Sequence, residues 1–170
     1  MNRYSTALAA VALAGALHGQ AANPLSGELQ TAYTRVKTNF IKAAEKMPED
    51  QYDFKPTSDT QTFKERIVHI AASQMGACSA LAGAPKSIDA KTLKTKADVV
   101  AALKDSFGAC DLLIDSMTDA DAATMVAGRG NPRPKLGLAF GLVAHDVEVY
   151  GYICVYMRLK GIVPPSSEGR

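Results

Sequence analysis

The amino-acid sequence predicts an all-α protein, a four-helix bundle. Three features carry that reading: four stretches of about 20 residues place apolar side chains at intervals of three and four, start and stop residues flank them, and β-branched alternation is scarce. The 170 residues contain no internal repeat and predict one domain, long enough to bury a core without a disulfide or metal to hold it. Residues of the AVILMFWYC set make up 47% and charged residues 21%, which excludes global disorder. With 19 Lys and Arg against 17 Asp and Glu, and no basic block, the chain lacks the clustered positive charge that phosphate binding needs. Nucleic acid is therefore excluded as a partner.

The first helix opens on Asn23-Pro24, an N-cap residue followed by proline at the first helical position. It carries Leu25, Leu29, Ala32, Val36, Phe40, Ala43 and Met47 on one stripe to about Lys46, and Met47-Pro48-Glu49-Asp50 ends it. The segment through Lys55-Pro56-Thr57-Ser58 reads as a loop. Thr62 with Glu65 three residues on forms a capping-box pattern, and the second helix runs from there to about Ala82 with Phe63, Ile67, Ile70, Ala71, Cys78 and Leu81 on one face. Gly83-Ala84-Pro85 stops it, and a lysine-rich loop leads to a second capping pattern, Thr95 with Asp98. Val99, Leu103, Phe107, Cys110, Ile114 and Met117 mark the third helix. Between Thr118 and Lys135 the spacing of Gly and Pro in GRGNPRPK predicts an irregular loop after a short helical turn, and no phosphate loop, since no strand precedes it. The fourth helix, Leu136 to about Lys160, is apolar on most sides, and Gly161-Ile-Val-Pro-Pro terminates it. The second and fourth helices are expected to be the most buried, because apolar residues cover most of their circumference.

The opening residues are of a different kind. Arg3, an apolar run from Ala7 to Leu17 and then small residues follow the layout of a secretory signal peptide, spanning residues 1–21, with cleavage after Ala21 or Ala22. The run is too short for the roughly 20 residues of a membrane-spanning helix, so no stable anchor is expected once it is removed. The mature domain, residues 22–170, is placed in the periplasm or outside the cell. In such an oxidising space two of the three cysteines could pair, and Cys78 with Cys110, both on apolar helical stripes, is the favoured pair. The alternative is three buried free thiols acting as small hydrophobes. The spacing of Cys78, Cys110 and Cys154 includes no C-x-x-C and does not suggest structural zinc.

Two histidines remain in the mature chain, His69 on the second helix and His145 on the fourth, each interrupting an apolar stretch. A buried imidazole needs a hydrogen bond, a metal or water, so both are candidates for a site. At about 100° per residue His69 lies opposite Ile67 and Cys78 on its helix, facing solvent or a second packing surface. Tyr152 and Tyr156 share the His145 and Val149 side of the fourth helix, where their hydroxyls could line a pocket, or pack as core.

The segments R-I-V-H-I-A around His69, H-D-V-E-V-Y-G from His145 and Y-M-R-L-K-G-I-V-P-P-S-S-E from Tyr156 resemble the DinB-like family, as do N-P-L-S-G-E-L and K-A-A-E-K-M-P-E-D earlier in the chain. The resemblance spans nearly the whole mature domain. It implies a bundle with one long crossover connection and a divalent-metal site of three histidines, one at His69 and two from an H-x-x-x-H pair on the fourth helix. His145 matches the first of that pair, but Val149 stands at the second and cannot ligate. The remaining two histidines could hold zinc, nickel or manganese if a carboxylate or water completes the shell, with Glu148 the nearest candidate and Asp146 less well directed.

Three functions stay open on this reading. The first is an extracytoplasmic binding protein that holds a metal or small molecule without turnover. The second is a metal-dependent hydrolase or transferase, which needs an open coordination position on a firmly held ion. The family's thiol-cofactor transferases use cytosolic thiols, which an exported protein would not meet. The third is a structural or interaction protein that has lost its metal, with a homodimer among the arrangements it allows. Nucleophilic catalysis is disfavoured, because there is no G-x-S-x-G and the cysteines sit at packed positions.

Overall fold

The computed structural model describes residues 23–127 and 130–169. The expected signal peptide and its cleavage point lie outside those residues, as do Gly128 and Arg129 of the GRGNPRPK loop. Four long helices enclose the core: α1 (Pro24–Lys46), α2 (Phe63–Leu81), α3 (Lys96–Ile114) and α5 (Lys135–Leu159). A fifth, α4 (Asp119–Ala122), is a single turn that Thr118 caps by accepting from the Asp121 amide, and it falls where the sequence predicts a short helical turn ahead of the GRGNPRPK loop. Both expected capping boxes form, Thr62 with Glu65 and Thr95 with Asp98. Each satisfies two amides that the first helical turn would leave without partners.

The long helices form a ring in the order α1, α3, α2, α5. Lys96 at the start of α3 donates to the Glu45 and Met47 carbonyls at the end of α1, and Lys37 pairs with Asp111 at 2.6 Å, so these two helices run antiparallel. By contrast α2 and α3 are parallel neighbours: Lys64 reaches the Lys94 carbonyl at one end, and a Cys78–Cys110 disulfide joins them toward the other. Parallel neighbours need a connection that travels back along the bundle. A helix the length of α2 spans about 28 Å, and residues 82–95 can reach about 46 Å when extended. That segment, largely exposed and carrying one 3₁₀ turn at Ala90–Thr92, is the crossover.

The core centres on Tyr33, Phe40, Phe63, Phe107, Leu103, Ile153 and Met157, all buried. Phe40 packs edge-on to Tyr150 with centroids 5.4 Å apart and tilts against Phe107 at 6.4 Å, tying α5 to α3 through α1. At the start of α1 two details differ from expectation. Leu25 is exposed rather than part of the stripe, and the Asn23 side chain does not cap its own helix. Asp119 of α4 does so instead: its carboxylate accepts from the Leu25 and Ser26 amides and the Ser26 hydroxyl, while its own amide donates to Asn23 Oδ1. Those bonds hold the Asp119 carboxyl below its usual range. The loop expected to be irregular contains a two-residue antiparallel ladder, β1 (Met125–Val126) with β2 (Arg133–Pro134), which delivers the chain into α5.

The expectation that the fourth long helix is among the most buried needs correction. One arc of α5 holds Ala139, Val143, Asp146, Val149, Tyr150, Ile153, Tyr156 and Met157 in the core, whereas the opposite arc leaves Phe140, Val147, Val155 and Leu159 in solvent. By length and composition α5 could cross a membrane. A helix apolar on every side loses the 3.6-residue signature, so the sequence does not reveal which arc turns inward.

Candidate functional site

The site residues lie on the antiparallel seam between α2 and α5. Reading along it, the Tyr156 hydroxyl donates to the Gln61 carbonyl at 2.6 Å, the Arg66 guanidinium stacks 4.7 Å from the Tyr152 ring, and His69 meets His145. Helical spacing explains the sequence of contacts, since positions three to four apart on each helix advance by about one turn. The two imidazoles approach through their Nε2 atoms at 3.0 Å, with ring planes at 70°. One ring donates and the other accepts, so the pair is joined by a single shared proton in the neutral state.

Partial burial holds the His69 pKa below its ordinary value, and the nearby His145 and Arg66 charges act in the same direction. A neutral imidazole is the form that ligates metal. Two nitrogens bound about 2.05 Å from one ion at 90–109° stand roughly 2.9–3.3 Å apart, so the observed spacing fits two adjacent ligands of a single divalent ion as well as it fits a hydrogen bond. The donor set is short, however. Val149 is buried in the core and Glu148 is exposed, and among the described residues no group of three or more His, Cys, Asp or Glu stands together to hold an ion. Any metal held by His69 and His145 would take its other ligands from solvent or from a bound molecule.

Tyr152 and Tyr156 do not open a cavity beside the histidines. Tyr156 is buried with its hydroxyl committed to the backbone of residue 61, and Tyr152 is exposed over Arg66. Two concave surfaces lie elsewhere, one along α1 near Gln30, Thr34 and Asp115, the other between α1 and α5 near Arg35, Tyr150 and Cys154. Cys78 and Cys110 are bonded to each other and fully buried, while Cys154 is a half-buried free thiol.

One polar feature of the seam escapes a reading by residue type. Asp146, next to His145, points the other way, into the core, where it is fully buried. Gln74 donates to its Oδ2, and Oδ1 has no partner in the structure. Burial pushes this carboxyl up to about 7, against the opposing effect of the Gln74 bond. Gln74 also rests its Oε1 2.8 Å from Cys110 Sγ, so a polar thread runs from the disulfide to Asp146 behind the histidine pair. The available clue is rotation: Asp146 falls on the same arc as Val143, Tyr150, Ile153 and Met157.

Comparison with known proteins agrees with this architecture. Residues 32–153 match the model of the DinB superfamily. Among solved structures, a DinB-like protein from Bacillus cereus ATCC 10987 superposes with a TM-score of 0.67 at 17% identity, covering 82% of this chain and 95% of that one. The DinB-like protein YjoA from Bacillus subtilis gives 0.66 at 17% identity, covering 84% and 99%. No curated protein matches the chain. The helical fold and the family match over most of its length agree: the chain belongs to the DinB superfamily.

Proposed function

We propose that the protein is an extracytoplasmic DinB-like bundle that binds a divalent metal, or a small molecule through such a metal, at the two-histidine seam. The observation that carries this reading is the 3.0 Å approach of His69 Nε2 to His145 Nε2 at the surface of the bundle. Two imidazoles suit zinc or nickel, manganese would rely more on oxygen ligands from solvent, and an ion held by only two protein ligands keeps several positions open to exchange. Such an ion polarises a ligand bound to it, which is the chemistry a hydrolase or transferase would use. A catalytic role would also ask the protein to fix the ion firmly, and Val149 removes the residue at the third position that the family resemblance implies. Binding is therefore the preferred reading and catalysis the second. The extracytoplasmic assignment rests on the apolar run Ala7–Leu17 and on the buried Cys78–Cys110 bridge, a bond that persists where thiols are kept oxidised.

Elemental analysis of the protein purified without chelator or histidine tag tests this, beside His69→Ala and His145→Ala. Near-stoichiometric zinc, nickel or manganese that both variants lose is the expected result. Metal-free wild-type protein that also fails to take up added zinc would overturn it and leave the imidazoles as a hydrogen-bonded pair.

A further inference from the structure

The outer arc of α5 has no partner within the described residues. Phe140, Ala144, Val147, Gly151 and Val155 follow one another at intervals of four, three, four and four, all exposed, with Leu159 alongside and Tyr152, one side of whose ring stacks on Arg66, at the margin toward α2. The large members, Phe140, Val147, Tyr152, Val155 and Leu159, are between 44% and 64% exposed. The only charges on this arc are Glu148 at its edge and Arg158 near the helix end, and neither forms an ion pair among the described residues. We propose that this face is a homodimer interface, in which α5 packs antiparallel on α5 of a second copy with Phe140 seated over Gly151.

Size complementarity sets the register. Along the stripe, side chains run large, small, large, small: Phe140, Ala144, Val147, Gly151. Reversing this order against itself places Phe140 opposite Gly151 of the second copy and, in the same register, Ala144 opposite Val147, so along this four-residue stretch each large side chain meets a small one. A twofold contact requires such self-complementarity, because one patch must supply both knob and hole. The hole is present in the single subunit. A groove of about 400 Å³ runs between α5 and α1 beside Gly151, lined by Val147, Tyr150, Cys154 and Arg35. A β-carbon on Gly151 would meet nothing within 4 Å, which leaves the space above it to an incoming ring.

The area is sufficient. With about 150–250 Å² for each of the two aromatic side chains, less for Val and Leu, and roughly half of each exposed, the five present on the order of 500 Å², and two such faces bury about 1,000 Å², the lower threshold of a specific interface. A membrane is the competing occupant of an apolar helix face. It would not need the alternation of sizes or the groove.

Sedimentation velocity of the protein purified from cells expressing the full chain, over a dilution series, reads the oligomeric state. Wild type is expected to sediment as a dimer, and Gly151→Leu as a monomer with its far-UV helical signal unchanged, since the added side chain fills space that is empty in one subunit. In a Cys154→Ser background, Phe140→Cys with Gly151→Cys is expected to oxidise to a covalent dimer, whereas Phe140→Cys alone stays monomeric on a denaturing gel. A wild type that is monomeric throughout overturns the proposal, and co-sedimentation of that monomer with anionic phospholipid vesicles would assign the face to a membrane. A dimer that Gly151→Leu leaves intact would place the interface elsewhere and overturn it equally.

Discussion

Cutting the Cys78–Cys110 bridge should weaken the fold by a large fraction of its total stability. The bridge joins positions 32 apart and closes a loop that contains the last turn of α2, the whole 82–95 crossover and most of α3. Chain-entropy arithmetic for a loop of that size gives about 4 kcal/mol of stabilisation, through restriction of the unfolded chain. Domains of this size are stable by about 5–15 kcal/mol in total. Both half-cystines are fully buried, so reductant should reach the sulfurs only when the bundle opens. The assay is equilibrium urea unfolding followed by circular dichroism, with and without reductant, beside the Cys78→Ala/Cys110→Ala double variant. With a slope of about 2 kcal/mol per molar urea, the midpoint should fall by about 2 M in both the reduced and the substituted protein. Thiol labelling of the unreduced, denatured protein should find one group, Cys154. Three reactive thiols, or a midpoint that reductant leaves in place, would refute the reasoning.

Further outcomes follow from the same geometry. Asp146 binds its proton more tightly in the fold than in the unfolded chain, so its contribution is fully present below pH 3.8 and is lost as pH rises through about 7. The interval of about 3 pH units, at 1.36 kcal/mol each, predicts that Asp146→Asn gains up to about 4 kcal/mol at pH 8 and nothing below pH 3.8. Denaturation at both pH values checks it, and a variant less stable at pH 8 would mean that the carboxylate is used as an anion. His69 titrates in the opposite sense: its depressed pKa adds stability at neutral pH that is lost as pH falls through the folded value, and His69→Ala should flatten that acid limb of the stability profile. Val149→His restores a third imidazole one turn from His145 and should raise zinc affinity in a calorimetric titration by at least tenfold, about 1.4 kcal/mol; no gain would mean that the α5 register differs from the family motif. Thr62→Ala removes one half of the α2 capping box and should cost about 1 kcal/mol in the same urea assay.

The readability of the site in the sequence was uneven for physical reasons. His69 and His145 stand out because an imidazole amid apolar neighbours is costly, and the helical stripes that carry Cys78 and Cys110 place both sulfurs inward. Nothing local makes position 69 meet position 145 across 76 residues, since that depends on how α2 and α5 slide past each other. The same sliding occupied both tyrosines: Tyr156 found a backbone carbonyl and Tyr152 a guanidinium, where the residue pattern alone left pocket and core open. Asp119 was equally hidden, because its capping partners Leu25 and Ser26 lie more than 90 positions away.

By itself the sequence determined the helices, their capping boxes and the inward stripes of α2 and α3, because these are set by interactions within about one turn. Tertiary structure decided the order of helices around the ring, the crossover over 82–95, the imidazole pair and the burial of Asp146. It also decided which arc of α5 lies inside. That helix is apolar all round, so hydrophobic periodicity carries no direction, and only packing against α1 and α2 selects the arc of Val143, Tyr150 and Ile153 for the core and leaves that of Phe140 and Val147 outside.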